Sequence, residues 1–127
     1  MSPENITPEI IAFLTERHLA SLTTLRKDGS PHVVPVGFSF DVASNEVRII
    51  TFAGSQKVKN AERGGRAVVS QVDKGRWLSL EGTVRLATDE VAVAQAVAGY
   101  AARYQAPKER VDRVAIIIAI DKILGRA

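Results

Sequence analysis

Residues 33–40 read Val33-Val34-Pro35-Val36-Gly37-Phe38-Ser39-Phe40 and carry the strongest two-residue alternation in the chain. The even-numbered residues are large and apolar, and they share one face of an extended segment. This pattern predicts a strand with one buried face. Proline cannot donate to a strand ladder and glycine has no side chain, so Pro35 and Gly37 predict a bulge or a close approach to the backbone.

Short turns separate the other strands predicted on either side of this one. They cover residues 18–26, 47–52, 66–72, 77–86 and 114–124, and Asp28-Gly29 is a typical hairpin turn. Helices are predicted from Thr7-Pro8-Glu9, over 56–63 and over 89–104, with Thr88 as the cap of the last. Consecutive strands joined by tight turns pair antiparallel. We therefore expect a mainly β protein with flanking helices, a single six-stranded split or half-closed β-barrel domain over residues 1–127.

Composition narrows the chemistry of the chain. It contains 127 residues and no cysteine, which excludes disulfides, thiol nucleophiles and cysteine-ligated metals. The two histidines are isolated, so no metal site is predicted. Seventeen basic against 14 acidic residues give a net charge of +3, which suits a small anionic ligand better than nucleic acid. The lack of cysteine favours a cytoplasmic location. The N-terminus resembles no signal peptide, and no apolar run could span a membrane.

The last predicted strand bears on assembly. Residues 114–120 read Val-Ala-Ile-Ile-Ile-Ala-Ile and are apolar on both faces. A strand in a barrel this small normally turns one face to water. An apolar outer face therefore indicates cover by a helix or by a second copy of the chain, and we expect a homodimer.

The clearest candidate binding site is the junction between a strand and a helix at residues 51–60. A strand ends near Thr51, Gly54 permits a tight turn, and Ser55 begins a helix. Free backbone N–H groups at a helix start attract anions, and Lys57 adds a full positive charge. The Thr51 and Ser55 hydroxyls can donate to phosphate oxygens. An ordinary capped helix with solvated lysines explains the same residues equally well.

Two other regions are weaker candidates. Trp77 can line a flat aromatic ligand, although a tryptophan on a strand is more often part of a core. Gln71 is a polar strand position that can face a pocket. The backbone of Pro35, Val36 and Gly37 can border a ring system, and the same stretch also suits an edge bulge.

Taken in order, several motifs resemble one family. They are D-G-S-P-H-x-V-P-V at residues 28–36, G-S-Q-K at 54–57 with Asn60, and W-L-S-L-E-G at 77–82. The chain is similar to the split β-barrel flavin and deazaflavin oxidoreductases, the pyridoxamine-phosphate-oxidase-like proteins, and within them to the branch that binds coenzyme F420. The resemblance covers roughly residues 10–125.

The resemblance implies a homodimer that transfers hydride from reduced F420 to a conjugated tetrapyrrole such as biliverdin. It implies that Ser55, Gln56, Lys57 and Asn60 lie in the segment that holds the cofactor phosphate. Pro35, Val36 and Gly37 would line the deazaflavin ring, with Trp77 near it. No side chain is predicted as the catalytic proton donor.

Two alternatives remain open at this point. One is an FMN-dependent oxidoreductase of the same fold. The flavin-phosphate oxidases usually carry an arginine on the strand that matches residues 32–40, and this chain has none there. The other is a non-enzymatic module that binds F420 or haem.

Overall fold

The computed structural model describes residues 5–127. The first four residues, on which the signal-peptide expectation largely depends, lie outside this range. The helices are α1 (Pro8–Thr15), α2 (Gln56–Arg63) and α3 (Glu90–Arg103). The strands are β1 (Ala20–Leu25), β2 (Pro31–Val36), β3 (Ser39–Asp41), β4 (Glu46–Phe52), β5 (Arg66–Asp73), β6 (Arg76–Ala87) and β7 (Arg113–Arg126). The mainly β class is confirmed.

All strands belong to one antiparallel sheet with the order β2-β1-β5-β6-β7-β4-β3. Its outermost strands, β2 and β3, are consecutive in the chain and separated by Gly37 and Phe38 alone. Such a short link requires the sheet to curl until its two edges are neighbours. The edges share no ladder, so the barrel is split along this line.

The prediction of six strands was wrong, because the segment at residues 33–40 is two strands rather than one. The break falls at Gly37 and Phe38, where the chain leaves one sheet edge for the other. The tyrosines of α3 hold it there, and the Phe38 N–H donates to the Tyr104 hydroxyl (3.1 Å). A Cβ on Gly37 would lie 3.0 Å from Tyr100 Cε2, so the close approach predicted at this glycine is made by tyrosine rings.

The alternating face of this segment does point inward, as predicted. Val36 and Phe38 are buried, and Val34 and Phe40 pack against the same core. Phe38 is fully buried and belongs to the same core cluster as Phe13, Leu22, Leu80 and Ile118. Burial of one such side chain contributes about 2–3 kcal/mol. We call Gly37 and Phe38, which connect the two sheet edges, the crossover. The burial of Phe38 therefore stabilises the crossover although it pairs with no strand.

Helix α3 explains the two apolar faces of the last strand. Ile116 and Ile118 face the barrel interior, whereas Ala115 and Ile117 pack under Ala96 of α3 in a second, smaller cluster. A helix of this same chain, rather than a second copy, covers the outer face. The cap of α3 is Asp89 and not Thr88, since the Asp89 carboxylate accepts from the Ala92 N–H at 3.0 Å.

Another part of the sheet is left open. Cross-strand register aligns Pro35, Ser21, Ser70, Ser79 and Leu124 in one outward row over five adjacent strands. Parallel rows on either side contain Val33 (59% exposed), Val72 (69%) and Trp77 (40%). We call this surface the open sheet face. No helix within residues 5–127 is long and apolar enough to cross a membrane.

Candidate cofactor site

A cavity of about 320 Å³ lies where the barrel splits, and we call it the first cavity. It is bordered by the crossover, the end of β4, the start of α2, the C-terminal half of α3 and the segment that leads into β7. The lining residues are Pro35, Val36, Gly37, Ile50, Thr51, Phe52, Lys57, Tyr100, Pro107, Arg110 and Arg113. Five of the predicted site residues therefore meet here: Pro35, Val36, Gly37, Thr51 and Lys57.

Two hydroxyls at the strand-to-helix junction lack partners, that of Thr51 in the cavity lining and that of Ser55 outside the lining. Thr51 Oγ1 and Ser55 Oγ are both buried with no hydrogen bond among the described residues. Ser55 is the N-cap of α2, yet its side chain makes no capping bond. An unpaired buried polar group is costly, so such groups are unusual unless a ligand or water completes them. Both suit the oxygens of a bound anion.

The charge of the cavity is positive. Lys57, Arg110 and Arg113 line it, and none of its lining residues, all within 5–127, is acidic. Lys57 Nζ and Arg110 Cζ lie 5.6 and 4.3 Å from the centre of the Phe52 ring. Partial burial lowers the pKa of Lys57 from its usual value, because the charged ammonium loses water. A bound anion would offset that loss.

Lys57 sits in this position because of the turn that precedes α2. Gly54 adopts a φ of 91°, in the left-handed region that favours glycine, and redirects the chain from β4 into the helix. Ala53 N–H donates to the Asp112 carbonyl (3.0 Å), which ties the turn to the start of β7. The first turn of α2, with Lys57, is thereby brought to the cavity wall.

Gln56 and Asn60, also predicted as cofactor ligands, do not line the first cavity. Gln56 donates to Asn60 Oδ1 (2.9 Å), and Asn60 Nδ2 donates to Thr24 Oγ1 (2.9 Å). Arg63 also donates to Asn60 Oδ1 (2.7 Å). The Asn60 amide is 1% exposed and its bonds fasten α2 onto β1. Within the chain, Asn60 therefore orients the helix that carries Lys57. A contact between Asn60 and a ligand stays a prediction.

Gln71 and Trp77 lie away from the cavity as well. Gln71 is 1% exposed, accepts from Arg103 (2.8 Å) and donates to the Phe13 carbonyl (3.1 Å). Its polarity on a buried strand therefore satisfies a structural network. Trp77 lies on the open sheet face, opposite Val72 in the ladder. Its place near a cofactor ring stays a prediction.

The predicted site did not include the other six lining residues, which are Ile50, Phe52, Tyr100, Pro107, Arg110 and Arg113. For Arg110 and Arg113, a signal was the charged run Lys108-Glu109-Arg110-Val111-Asp112-Arg113 immediately before an apolar strand. Charged runs are usually solvated, so the signal is weak. Their position depends on how the link from α3 to β7 crosses the end of β4.

One group of metal-type ligands exists despite the prediction of none. Glu16, His18 and Asp73 bring ligand atoms within 4.8 Å of one another. Arg76 lies among them, bonded to Glu16 (2.9 Å) and Asp73 (2.6 Å). The Arg76 guanidinium therefore neutralises both carboxylates, and the group is an ion-pair network.

The fold and the cavity together define an antiparallel split β-barrel with a cationic pocket beside the split. The model of the pyridoxamine 5'-phosphate oxidase family matches residues 6–127, and the chain belongs to this family. It is 52% identical over 122 residues to the F420H(2)-dependent biliverdin reductase of Mycobacterium tuberculosis, covering 96% of this chain and 89% of that protein.

Solved structures share the same fold. A conserved hypothetical protein from Mycobacterium tuberculosis superposes with a TM-score of 0.80 at 22% identity, covering 95% of this chain and 84% of that one. An F420 reductase superposes with a TM-score of 0.76 at 23% identity, covering 94% and 98%. At these identities the likeness concerns the fold.

Proposed function

We propose that this protein is an F420H2-dependent reductase that reduces a conjugated tetrapyrrole such as biliverdin. The relative with 52% identity over nearly the whole chain carries that activity in its name. The observation in this chain that supports it best is the unpaired Thr51 hydroxyl beside Lys57 in a cavity without acidic lining. These groups fit a cofactor that carries a phosphate.

Each side of the cavity has a separate role in the proposal. Thr51, Ser55 and Lys57 hold the phosphate, with the start of α2 contributing backbone N–H groups. Pro35, Val36 and Gly37 border the ring, because they form the one wall made mainly of small side chains and backbone. Tyr100 packs behind Gly37 and fixes the position of that wall.

The protein supplies binding and orientation rather than a nucleophile. When bound, reduced F420 supplies a hydride from C5 of its deazaflavin ring, and the substrate gains this hydride and one proton. Val36 and Ile50 give the cavity part of its apolar lining. No side chain is assigned as the acid, and the proton would come from solvent or from the substrate itself.

A homodimer is part of the proposal. The open sheet face exposes Val33, Val72, Trp77 and Leu124, and its central residues are small and uncharged. The flanking rows also hold Glu81 and Arg126, and such a mixture of apolar and polar groups is usual in a protein interface. Pro35 belongs both to this face and to the lining of the first cavity. A second copy packed here would therefore lie at the rim of the cofactor site.

Titration of the purified protein with oxidised F420, followed by cofactor fluorescence, tests binding. Addition of biliverdin to protein and reduced F420, followed by bilirubin absorbance, tests turnover. We expect saturable binding and bilirubin formation. Binding without turnover on any tetrapyrrole would leave a cofactor-binding module, and stoichiometric FMN in the purified protein would favour the flavin alternative. The cytoplasmic location stays a prediction from composition.

A further inference from the structure

A second cavity of about 450 Å³ lies next to the first. It is formed between the N-terminal half of α3 and the segment at residues 109–113. Arg110 and Arg113 line both cavities. These two side chains therefore separate the first cavity from the second.

The two arginines differ in whether they already form an ion pair within the chain. Arg110 holds Asp112 with Nε at 2.7 Å and Nη2 at 3.0 Å, and it stacks on Phe52. Arg113 donates through Nη2 to the Lys108 carbonyl (2.7 Å) and forms no ion pair with any described residue. Its Nε and Nη1 remain available, and such a fork suits a carboxylate.

The rest of the second cavity is mainly apolar. Val93, Ala94 and Val97 of α3 form one wall, and Val111 stands fully exposed at the rim. Glu90 and Glu109 also line the second cavity. An anionic group would therefore be attracted to Arg110 and Arg113 and repelled near the two glutamates. An apolar body with an acidic arm matches this distribution.

We propose that Arg113, supported by Arg110, binds a carboxylate arm of the substrate while the apolar body of the substrate lies in the second cavity. This inference rests on the proposed function, because it makes the first cavity the place of the cofactor. A planar tetrapyrrole with propionate arms has the required chemistry. The acidic tail of F420 offers the same group, so the test separates the two sources.

Equilibrium binding to protein saturated with oxidised F420 gives a readout apart from activity. Biliverdin and its uncharged dimethyl ester are titrated while the fluorescence of Trp77, the one tryptophan of the chain, is recorded. The variants are Arg113→Gln and Arg113→Lys, with Arg85→Gln as a matched control on an exposed strand position outside both cavities. Thermal melts verify that each variant folds.

We expect Arg113→Gln to weaken biliverdin binding by roughly ten- to a hundredfold, the range for a lost charge-assisted hydrogen bond. Arg113→Lys should lose less, since it keeps the charge. Binding of the dimethyl ester, and of F420 in a separate titration, should change by less than about threefold. Arg85→Gln should bind all three ligands as the unaltered protein does.

Three results would overturn the inference. If Arg113→Gln weakened the binding of biliverdin and of its dimethyl ester equally, Arg113 would contribute through the shape of the cavity and not through its charge. Loss of F420 affinity in place of biliverdin affinity would assign the carboxylate to the cofactor tail. No change in any titration would remove the subsite. Failure of the proposed function shows separately, as a lack of F420 binding or bilirubin formation by the unaltered protein.

Discussion

Arg103 Nη1 donates to the Phe38 carbonyl at 2.8 Å, and the guanidinium stacks on the Phe38 ring at 4.6 Å. This contact joins the end of α3 to the crossover between the two sheet edges. Arg103 also donates to the Glu16 carbonyl and to Gln71, each at 2.8 Å. Burial lowers the pKa of this arginine, and its partners are neutral oxygens rather than carboxylates.

Replacement of Arg103 by leucine should therefore be costly. Three acceptors that it satisfies would lose their donor in a site that is 8% exposed. We expect the free energy of unfolding to fall by about 2–4 kcal/mol in urea titrations. Arg85→Leu, at an exposed strand position, is the control and should change it by less than about 0.5 kcal/mol. Equal effects would contradict a special role for the crossover contact.

Removal of the Lys57 charge should reduce cofactor affinity without unfolding the protein. Lys57→Ala is expected to weaken F420 binding roughly ten- to a hundredfold, as the loss of a charge-assisted contact does. Lys59→Ala, an exposed lysine on the same helix, is the matched control. Fluorescence titration measures both, and unchanged affinity in Lys57→Ala would refute the phosphate assignment.

The pH dependence of binding should follow the same lysine. Burial depresses its pKa, and a bound phosphate favours the charged ammonium. Affinity should hold below that depressed pKa and decline as pH rises through it, because the neutral amine no longer attracts the anion. Titrations across alkaline pH should show this decline in the unaltered protein and lose it in Lys57→Ala.

Thr51→Val should move stability and affinity in opposite directions. The Thr51 hydroxyl is buried without a partner in the free chain, so valine removes an unsatisfied group and should raise the free energy of unfolding by about 1 kcal/mol. F420 affinity should fall because a phosphate contact is lost. Thr24→Val is the control, since Thr24 accepts from Asn60 and its loss should lower stability. A less stable Thr51→Val protein would contradict the assignment.

The proposed dimer predicts a change of mass on substitution in the open sheet face. Light scattering should give about twice the 13.7 kDa of one chain for the unaltered protein. Val72→Asp should shift it to a single chain, because a buried unpaired charge opposes association. Val91→Asp, on an equally exposed residue of α3, should leave the mass unchanged. A monomeric unaltered protein would rule the dimer out.

Much of the local structure could be predicted from the chain because it depends on near neighbours. The apolar alternation of strands, the Asp28-Gly29 hairpin and the capped start of α1 are short-range patterns, and each appears in the fold. The strand-to-helix junction at residues 51–60 belongs to this group, which is why Thr51 and Lys57 were found. The family resemblance pointed to the same residues.

The break at Gly37 and Phe38 belongs to tertiary structure, since it arises when tyrosines some 65 residues later pack on the crossover. Gln71 and Asn60 show the same dependence. Each is a polar residue whose partner the sequence pattern leaves open. In the folded chain Gln71 accepts from Arg103 and Asn60 donates to Thr24, and only tertiary packing brings these pairs together.

By itself, the sequence determined the mainly β class, the strand-to-helix junction at residues 51–60 and the absence of cysteine chemistry, because composition and period are local properties. Tertiary structure alone decided that α3 covers the last strand, that a different sheet face stays open, and that Arg110 and Arg113 separate two cavities. Those outcomes depend on distances between segments far apart in the chain, which only the closing of the sheet establishes.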